Sequence, residues 1–319
     1  MKRIIIDTDP GIDDAAAVFM ALASPELSVE AITTVYGNGS VDACTKNAFR
    51  ILYAANRLDI PVYKGTSKPL LREPNLGWAY HVHGKDALGN TDFPLPSVTF
   101  KNTASNYAAV EIARRVMAAP GEITLLALGR MTNIALALCL EPQLAEAANG
   151  VILMGGTVAV PGNVSQVATA NLYEDPEAAA IVYSSGASLV QMGLDVCDRV
   201  ELSQHQLDLI RQADIPTTRL LTAATPCIQA YYRGRGLLSD PNGVRYNDVP
   251  AVAYAIDPGM FRAEDLHVTL ETDSQITRGQ TVVDRRNITG YLPNASVCLE
   301  VDAERVTESF VDRITGYRV

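Results

Sequence analysis

The sequence predicts an open, mostly parallel α/β sheet with helices on both faces. Short apolar runs rich in β-branched residues alternate with longer helix-prone segments, as in sheets that are buried on both sides. A chain of 319 residues with 48% hydrophobic content can bury a large core. Four carboxylates directly follow the first apolar run, at the strand end where such sheets bind ligands.

The elements follow one another in a regular order. Strands are predicted at residues 4–6, 27–36, 61–63, 123–128, 150–154 and 188–193. Helices are predicted at 13–22, 43–55, across 203–256 and at 303–314, with further strands from residue 266. Two irregular excursions, 65–104 and 155–175, interrupt this rhythm, and long irregular segments in compact domains are often binding loops.

Composition narrows the class of protein. No linker or repeat divides the chain, so we expect a single domain over residues 1–319. A net charge of −10 argues against a nucleic-acid partner, and no apolar stretch approaches the length of a membrane span. The five cysteines are scattered and odd in number, as in a reducing compartment, so a soluble cytoplasmic protein is expected. They are Cys44, Cys139, Cys197, Cys227 and Cys298.

The most informative feature is the acidic run from Asp7 to Asp14, which contains four carboxylates in eight positions. Asp13 and Asp14 open an apolar segment, where acidic side chains complement a helix N-terminus, and this structural role alone would explain two of the four. Gathered carboxylates raise one another's pKa and are costly without a counter-ion. Hard oxygen ligands of this kind suit Ca²⁺ or Mg²⁺, so the run predicts a metal site.

The acidic run also resembles the amino-terminal signature of the inosine-uridine preferring nucleoside hydrolases, which are calcium-dependent N-ribohydrolases. The resemblance continues along most of the chain, at residues 35–38, 83–84, 128–135, 153–156, 162–171, 175–179 and 247–248. It implies the nucleoside hydrolase fold with a Rossmann-like core. It also implies hydrolysis of a ribonucleoside to ribose and free base, and a homodimer or homotetramer.

The resemblance further implies a set of Ca²⁺ ligands. Asp9 matches the residue that both ligates calcium and takes the proton from the metal-bound water. Asp14 and Asp248 match two further carboxylate ligands, and Leu128 matches the residue whose backbone carbonyl is a ligand. For Asp248 alone, an N-cap before the helix-prone segment that follows is the favoured alternative.

Five positions match residues that contact the sugar: Asp13, Asn38, Met154, Asn163 and Asn171. Individually they have ordinary explanations, because asparagines after glycines are typical of turns and a methionine after an apolar strand is typical of a core. Their joint match is what indicates ribose binding.

Two positions depart from the pattern of the family. Thr169 stands where the family usually has a glutamate that holds the ribose 5′-hydroxyl. Asn247 stands where many members have a histidine that protonates the departing base, and an amide cannot act as a general acid. His83 is retained and could approach the base, as could His81, although an exposed loop histidine without a role is the favoured reading of His81.

Two alternatives remain open from the sequence. A phosphohydrolase also begins with an Asp-x-Asp run after a strand, but Pro10 follows the second aspartate where that class has Thr or Val. A metal-stabilised nucleoside or sugar binding protein that has lost catalysis would carry the same ligand residues. Release of ribose from mixed nucleosides separates this second alternative from a hydrolase.

Overall fold

The computed structural model describes residues 1–74, 76–97 and 107–318. Parts of the predicted 65–104 excursion therefore lie outside the described residues. The strands are β1 (Lys2–Thr8), β2 (Leu27–Thr34), β3 (Val62–Lys64), β4 (Ile123–Ala127), β5 (Gly150–Met154), β6 (Leu189–Met192), β7 (Phe261–Leu266), β8 (Val268–Leu270), β9 (Thr281–Val283) and β10 (Ala295–Val301).

Helices separate most of these strands, and a short 3₁₀ turn, Pro258–Met260, precedes β7. The helices are α1 (Ile12–Leu22), α2 (Val41–Ala54), α3 (Tyr80–His83), α4 (Ala108–Ala118), α5 (Thr132–Leu140), α6 (Leu144–Ala147), α7 (Ala170–Tyr173), α8 (Pro176–Ser184), α9 (Leu194–Cys197), α10 (Gln204–Ala213), α11 (Pro216–Gly234), α12 (Val249–Ile256) and α13 (Ala303–Gly316).

Eight strands form one sheet in the order β3-β2-β1-β4-β5-β6-β10-β7. All neighbouring pairs are parallel except β10 and β7, which are antiparallel. Strands β8 and β9 form a separate antiparallel pair. The first six strands have the order of a doubly wound sheet. Strands β2 and β3 lie on one side of β1, and β4, β5 and β6 lie on the other side, so the strand order reverses between β1 and β4. The predicted fold class is thereby confirmed.

From Ile4 onward, side chains of β1 that point to opposite faces are all buried, which shows why helices cover both faces of the sheet. Ile4 and Ile6 belong to a core that includes residues of α1, α11, α12 and α13. Ile5 points the opposite way and belongs to a second core with residues of α4, α5 and α8. Because successive side chains of a strand point to opposite faces, an unbroken apolar run requires cover on both sides.

The structure departs from the sequence prediction mainly in the irregular segments. The region 203–256 holds three helices, but residues 235–248 between α11 and α12 are not helical. Glycines at 236 and 243 and Pro241 interrupt the helical pattern there, and Gly236 has a φ of +63°. The two excursions contain the short helices α3 and α7, which are too brief to show a periodicity. Within the described ranges, no helix is long and apolar enough to cross a membrane.

The buried side chain of Asn133 ties the strand ends together. Its amide Nδ2 donates to Asp7 Oδ1 at 2.8 Å and to the carbonyl of Thr34 at 3.1 Å, and its Oδ1 accepts from the N–H of Thr66 at 3.0 Å. These contacts join the carboxyl ends of β1 and β2 to the segment after β3.

We expect Asn133→Ala to lower the free energy of unfolding by about 2–4 kcal/mol, because three hydrogen bonds of a buried side chain are lost, one of them to a carboxylate. Asp7 Oδ1 keeps its bond from the hydroxyl of Thr33, and the carbonyl of Thr34 keeps its bond from the N–H of Gly65. Urea unfolding followed by circular dichroism measures the change. Asn149→Ala is the matched control, since this exposed side chain donates to Thr124 Oγ1 at 3.0 Å and makes no other hydrogen bond to the described residues. Its cost should stay below about 1 kcal/mol, and equal costs for the two variants would contradict the assigned role of Asn133.

Candidate active site

A cavity of about 480 Å³ opens at the carboxyl edge of the sheet. Its lining includes Asp9 after β1, Asn38 after β2, Leu128 after β4 and Met154 at the end of β5. These four strands are neighbours in the sheet, so residues distant in sequence meet at one point. The crevice outside the carboxyl ends of parallel strands is the usual ligand site of such folds.

Three carboxylates converge in this region. One oxygen from each of Asp13, Asp14 and Asp248 lies within 4.8 Å of the others. Asp14 is held in place by the hydroxyl of Thr8 and by the N–H of Gly11, which donates to Oδ2 at 2.8 Å. The turn between β1 and α1 therefore fixes this carboxylate in the first turn of the helix.

Asp248 reaches the cluster from the far end of the chain. It occupies the N-cap position of α12, yet its side chain makes no capping hydrogen bond. The N-cap alternative favoured for this residue in isolation is therefore not supported by the structure. The carboxylate lies instead beside Asp13 and Asp14.

The three buried carboxylates of the cluster would be stabilised in their charged form by a nearby cation. Burial raises the pKa of Asp13 and of Asp14 to about 6, and the charge of Asp13 adds to the effect for Asp14. Burial also raises the pKa of Asp248 well above its usual range, as do its aspartate neighbours. Asp13 Oδ1 is buried and has no hydrogen-bond partner among the described residues. A buried all-oxygen donor set with an unpaired oxygen fits a hard divalent cation.

Asp9 lies beside this cluster but is held by other partners. Its Oδ2 accepts from the N–H of Asn38 at 2.8 Å and from the guanidinium of Arg130. Burial raises the pKa of Asp9 well above its usual range, while Arg130 acts in the opposite direction. The amide of Asn38 also donates to Asp14 Oδ2 at 3.0 Å, so Asn38 links Asp9 to the cluster. Sequence reasoning missed Arg130, and the available signal was a charged residue three positions after the end of a buried strand.

Asn171 contacts two backbone carbonyls at the strand ends. Its Nδ2 donates to the carbonyl of Leu128 at 2.6 Å and to that of Met154 at 3.0 Å. A carbonyl oxygen has two lone pairs, so Leu128 retains one for a further partner. The predicted residues Leu128, Met154 and Asn171 thus lie together at the cavity.

His83 and Asn247 both line the cavity. His83 Nδ1 accepts from the N–H of Ile12 at 3.2 Å, and burial lowers the pKa of His83 to about 4. The imidazole is therefore neutral near pH 7, with its proton on Nε2. Asn247 Oδ1 is buried and has no hydrogen-bond partner among the described residues, while the backbone N–H of Asn247 donates to Asp13.

Three aromatic residues that sequence reasoning missed also line the cavity. They are Trp78, Tyr231 and Tyr232. His81 also lines the cavity and tilts against Tyr231, with ring centroids 5.5 Å apart. Aromatic and apolar walls with a few polar groups are typical of small-molecule sites.

Thr169 does not occupy the place expected for a sugar contact. Its side chain is buried, its hydroxyl accepts from the N–H of Gly156 at 2.9 Å, and it is absent from the described cavity lining. A short hydroxyl is satisfied by this nearby backbone donor, so it does not reach the cavity. Asn163 does line the cavity, and its Oδ1 accepts from the N–H of Ala170 at 3.0 Å.

An acidic cavity at the carboxyl edge of a parallel sheet is typical of α/β enzymes that act on small molecules. The family described as inosine-uridine preferring nucleoside hydrolase matches residues 4–308. The chain belongs to this family.

Individual relatives match this chain over nearly its full length. The chain is 37% identical to probable uridine nucleosidase 2 of Arabidopsis thaliana, across 98% of this chain and 97% of that protein. It is 38% identical to the pyrimidine-specific ribonucleoside hydrolase RihA of Shewanella sp. strain MR-7, across 99% and 97%. Among solved structures, the plant nucleoside hydrolase PpNRh1 superposes with a TM-score of 0.92 at 35% identity, across 98% and 99%. The predicted enzyme class, a nucleoside hydrolase, is confirmed.

The pair formed by Asp9 and Arg130 depends on the absence of a side chain at Gly37, because a Cβ there would overlap Arg130 Nη1 and Asp9 Oδ2. We expect Gly37→Ala to lower the free energy of unfolding by about 1–3 kcal/mol. Displacing Asp9 should also reduce turnover about tenfold or more. Urea unfolding and steady-state kinetics measure the two effects.

Gly234→Ala provides the control. A Cβ at this last residue of α11 meets no described atom within 4 Å. That variant should keep full turnover and unfold no more easily than the parent protein. Unchanged stability and turnover in Gly37→Ala would contradict the claim that the pair of Asp9 and Arg130 needs a glycine at this position.

Proposed function

We propose that this nucleoside hydrolase cleaves the N-glycosidic bond of a ribonucleoside with Asp9 as general base, assisted by Ca²⁺. The residues that would hold the ion are Asp9, Asp14, Asp248 and the carbonyl of Leu128. The observation that carries this proposal is the convergence of Asp13, Asp14 and Asp248 beside Asp9 at the cavity. These ligands are all oxygens, and the unpartnered buried Oδ1 of Asp13 lies next to Asp14 and Asp248, which suits calcium better than a soft metal.

The reaction follows from the placement of these groups. When bound, the calcium ion would supply Lewis acidity that makes water a better nucleophile. Asp9 accepts a proton from water while the water oxygen forms a bond to C1′ of the ribose. The bond from C1′ to the base nitrogen breaks, and its electron pair leaves with the base. The sugar carries positive charge in this transition state, which the surrounding carboxylates stabilise.

Ribose binding is proposed for the polar groups around the carboxylates. Asp13, Asn38, Asn163 and Asn171 line the cavity, and Met154 contributes an apolar contact there. Asp13 and Asn171 are largely buried, so hydrogen bonds from ribose hydroxyls to this region form away from water. Such bonds orient the sugar above Asp9.

Departure of the base is proposed to proceed without strong acid assistance. Asn247 cannot lose or gain a proton near pH 7, and burial keeps His83 neutral by lowering its pKa to about 4. Both residues can still hydrogen-bond the base. The rate should therefore depend strongly on how well the base departs as an anion.

The names of the relatives direct the choice of substrate. One relative is a probable uridine nucleosidase and another is a pyrimidine-specific ribonucleoside hydrolase. We therefore propose pyrimidine ribonucleosides, uridine first, as the substrates to test before purine and modified nucleosides. A cytoplasmic location, a homodimeric or homotetrameric assembly and the organisation as one domain remain predictions.

Asp9→Asn should reduce turnover by about 10²–10⁴-fold, the usual contribution of a positioned base. The protein should remain folded, because the amide preserves the shape of the side chain. Ribose release from uridine measures the effect. Asp59→Asn, an exposed residue paired with Arg57, is the control and should keep full activity. Retention of more than about a tenth of the turnover by Asp9→Asn would exclude Asp9 as the base, since only ~1.4 kcal/mol of barrier would be lost.

Leaving-group dependence tests the role of Asn247. p-Nitrophenyl riboside, whose leaving group departs readily as an anion, should be hydrolysed faster than inosine by about 10²-fold or more. Asn247→His should accelerate inosine hydrolysis selectively and leave the p-nitrophenyl substrate nearly unaffected.

The control for this prediction is His83→Ala on both substrates. If the parent protein hydrolyses inosine as fast as the activated riboside, and His83→Ala leaves that rate unchanged, another residue protonates the base. The role proposed for Asn247 would then be wrong.

A further inference from the structure

Arg130 places a permanent positive charge beside the aspartates that line the cavity. Its guanidinium contacts Asp9 Oδ2, and the side chains of Arg130 and Asp9 are only 4% and 2% exposed. Arg130 lines the same cavity as Asp9, Asp13 and Asp248. An arginine stays protonated at any ordinary pH, so its charge is present whether or not a metal ion is bound.

The residues around the pair of Asp9 and Arg130 leave little free space. Gly37 leaves room for the guanidinium and for Asp9 Oδ2, while a Cβ on Gly129 would lie 2.8 Å from Asp9 Oδ1. The guanidinium carbon lies 5.9 Å from the centre of the Tyr36 ring, within the range of a cation–π contact. Two glycines and an aromatic ring thus hold the pair in a tight slot.

The pair also divides the carboxylates into two sets. Asp13, Asp14 and Asp248 approach one another, whereas Asp9 Oδ2 already accepts from Arg130 and from the N–H of Asn38. Among the described residues, one of the four carboxylates therefore has an arginine as its counter-charge, and the other three have neither an arginine nor a lysine.

We propose that Arg130 is a built-in cation that weakens the binding of the divalent ion and sets its affinity. This inference rests on the proposed function, in which Asp9 is one of the calcium ligands.

Two physical effects give this result. Arg130 occupies an oxygen of Asp9 that a cation would otherwise bind, so binding must share or break a charge-assisted hydrogen bond. A divalent ion at the cluster would also lie close to a fixed positive charge, and the repulsion is poorly screened in a buried site. Both effects lower the affinity for calcium.

A purely structural role predicts the opposite sign. If Arg130 only orients Asp9 for the metal, its removal disorders a ligand and weakens calcium binding. If Arg130 opposes the metal, its removal strengthens binding. The direction of the change in calcium affinity therefore separates the two roles, with no need for an activity measurement.

Isothermal titration of the chelator-treated protein with CaCl₂ is the test. Arg130→Gln keeps a donor for Asp9 but removes the charge, and we expect it to bind Ca²⁺ at least about tenfold more tightly than the parent. Arg130→Lys keeps the charge, and its dissociation constant should stay within about threefold of the parent value. Arg235→Gln is the matched control, because Arg235 lines the same cavity but stacks on Tyr231 at 4.0 Å. Its dissociation constant should change by less than about twofold.

Thermal unfolding keeps the proposal testable if Arg130→Gln folds poorly without metal. The metal-free variant should unfold at a lower temperature than the parent, and Ca²⁺ should raise its Tm by more than it raises the parent's. A variant that stays unfolded in millimolar Ca²⁺ would overturn the proposal, as would a dissociation constant for Arg130→Gln equal to or weaker than the parent's. Calcium binding by the parent with no gain in Arg130→Gln overturns this inference alone. Absence of calcium binding in the parent and in every variant overturns the calcium proposal as well.

Discussion

Mutual repulsion among buried carboxylates is the constraint on which the site depends. Asp13, Asp14 and Asp248 meet within 4.8 Å of one another, and Asp9 lies beside them at the same cavity. Four such charges in a water-poor environment are unstable without positive partners. Much of the surrounding structure either holds these side chains in place or supplies a counter-charge, as Thr8, Asn38 and Arg130 show.

The sheet makes this concentration of charge possible. Strands β2, β1, β4 and β5 are neighbours, and residues at or just after the carboxyl end of each line one cavity. Asn133 joins the ends of β1 and β2 by hydrogen bonds to Asp7 and to the carbonyl of Thr34. A rigid edge of this kind lets charged side chains be held where free loops would move them apart, and the same rigidity orients a sugar for reaction.

Much of this arrangement could be predicted from the sequence. The β5 bounds agree residue for residue, and the acidic run with its resemblance placed Asp9, Asp14, Leu128 and Asp248 at one site. Other features depend on contacts that no local pattern encodes. Arg130 pairs with Asp9 across 121 positions, and Thr169 bonds the backbone of Gly156 where a sugar contact was expected. Short helices such as α3 are set by their surroundings and carry no periodic signal.

Turnover of uridine after exhaustive chelation tests the central claim most directly, because it asks whether the carboxylates work through a bound cation. The account predicts that chelation abolishes ribose release and that Ca²⁺ restores it. An all-oxygen site favours hard cations. Full turnover in the chelated protein, or restoration by Zn²⁺ but not by Ca²⁺, would contradict the account.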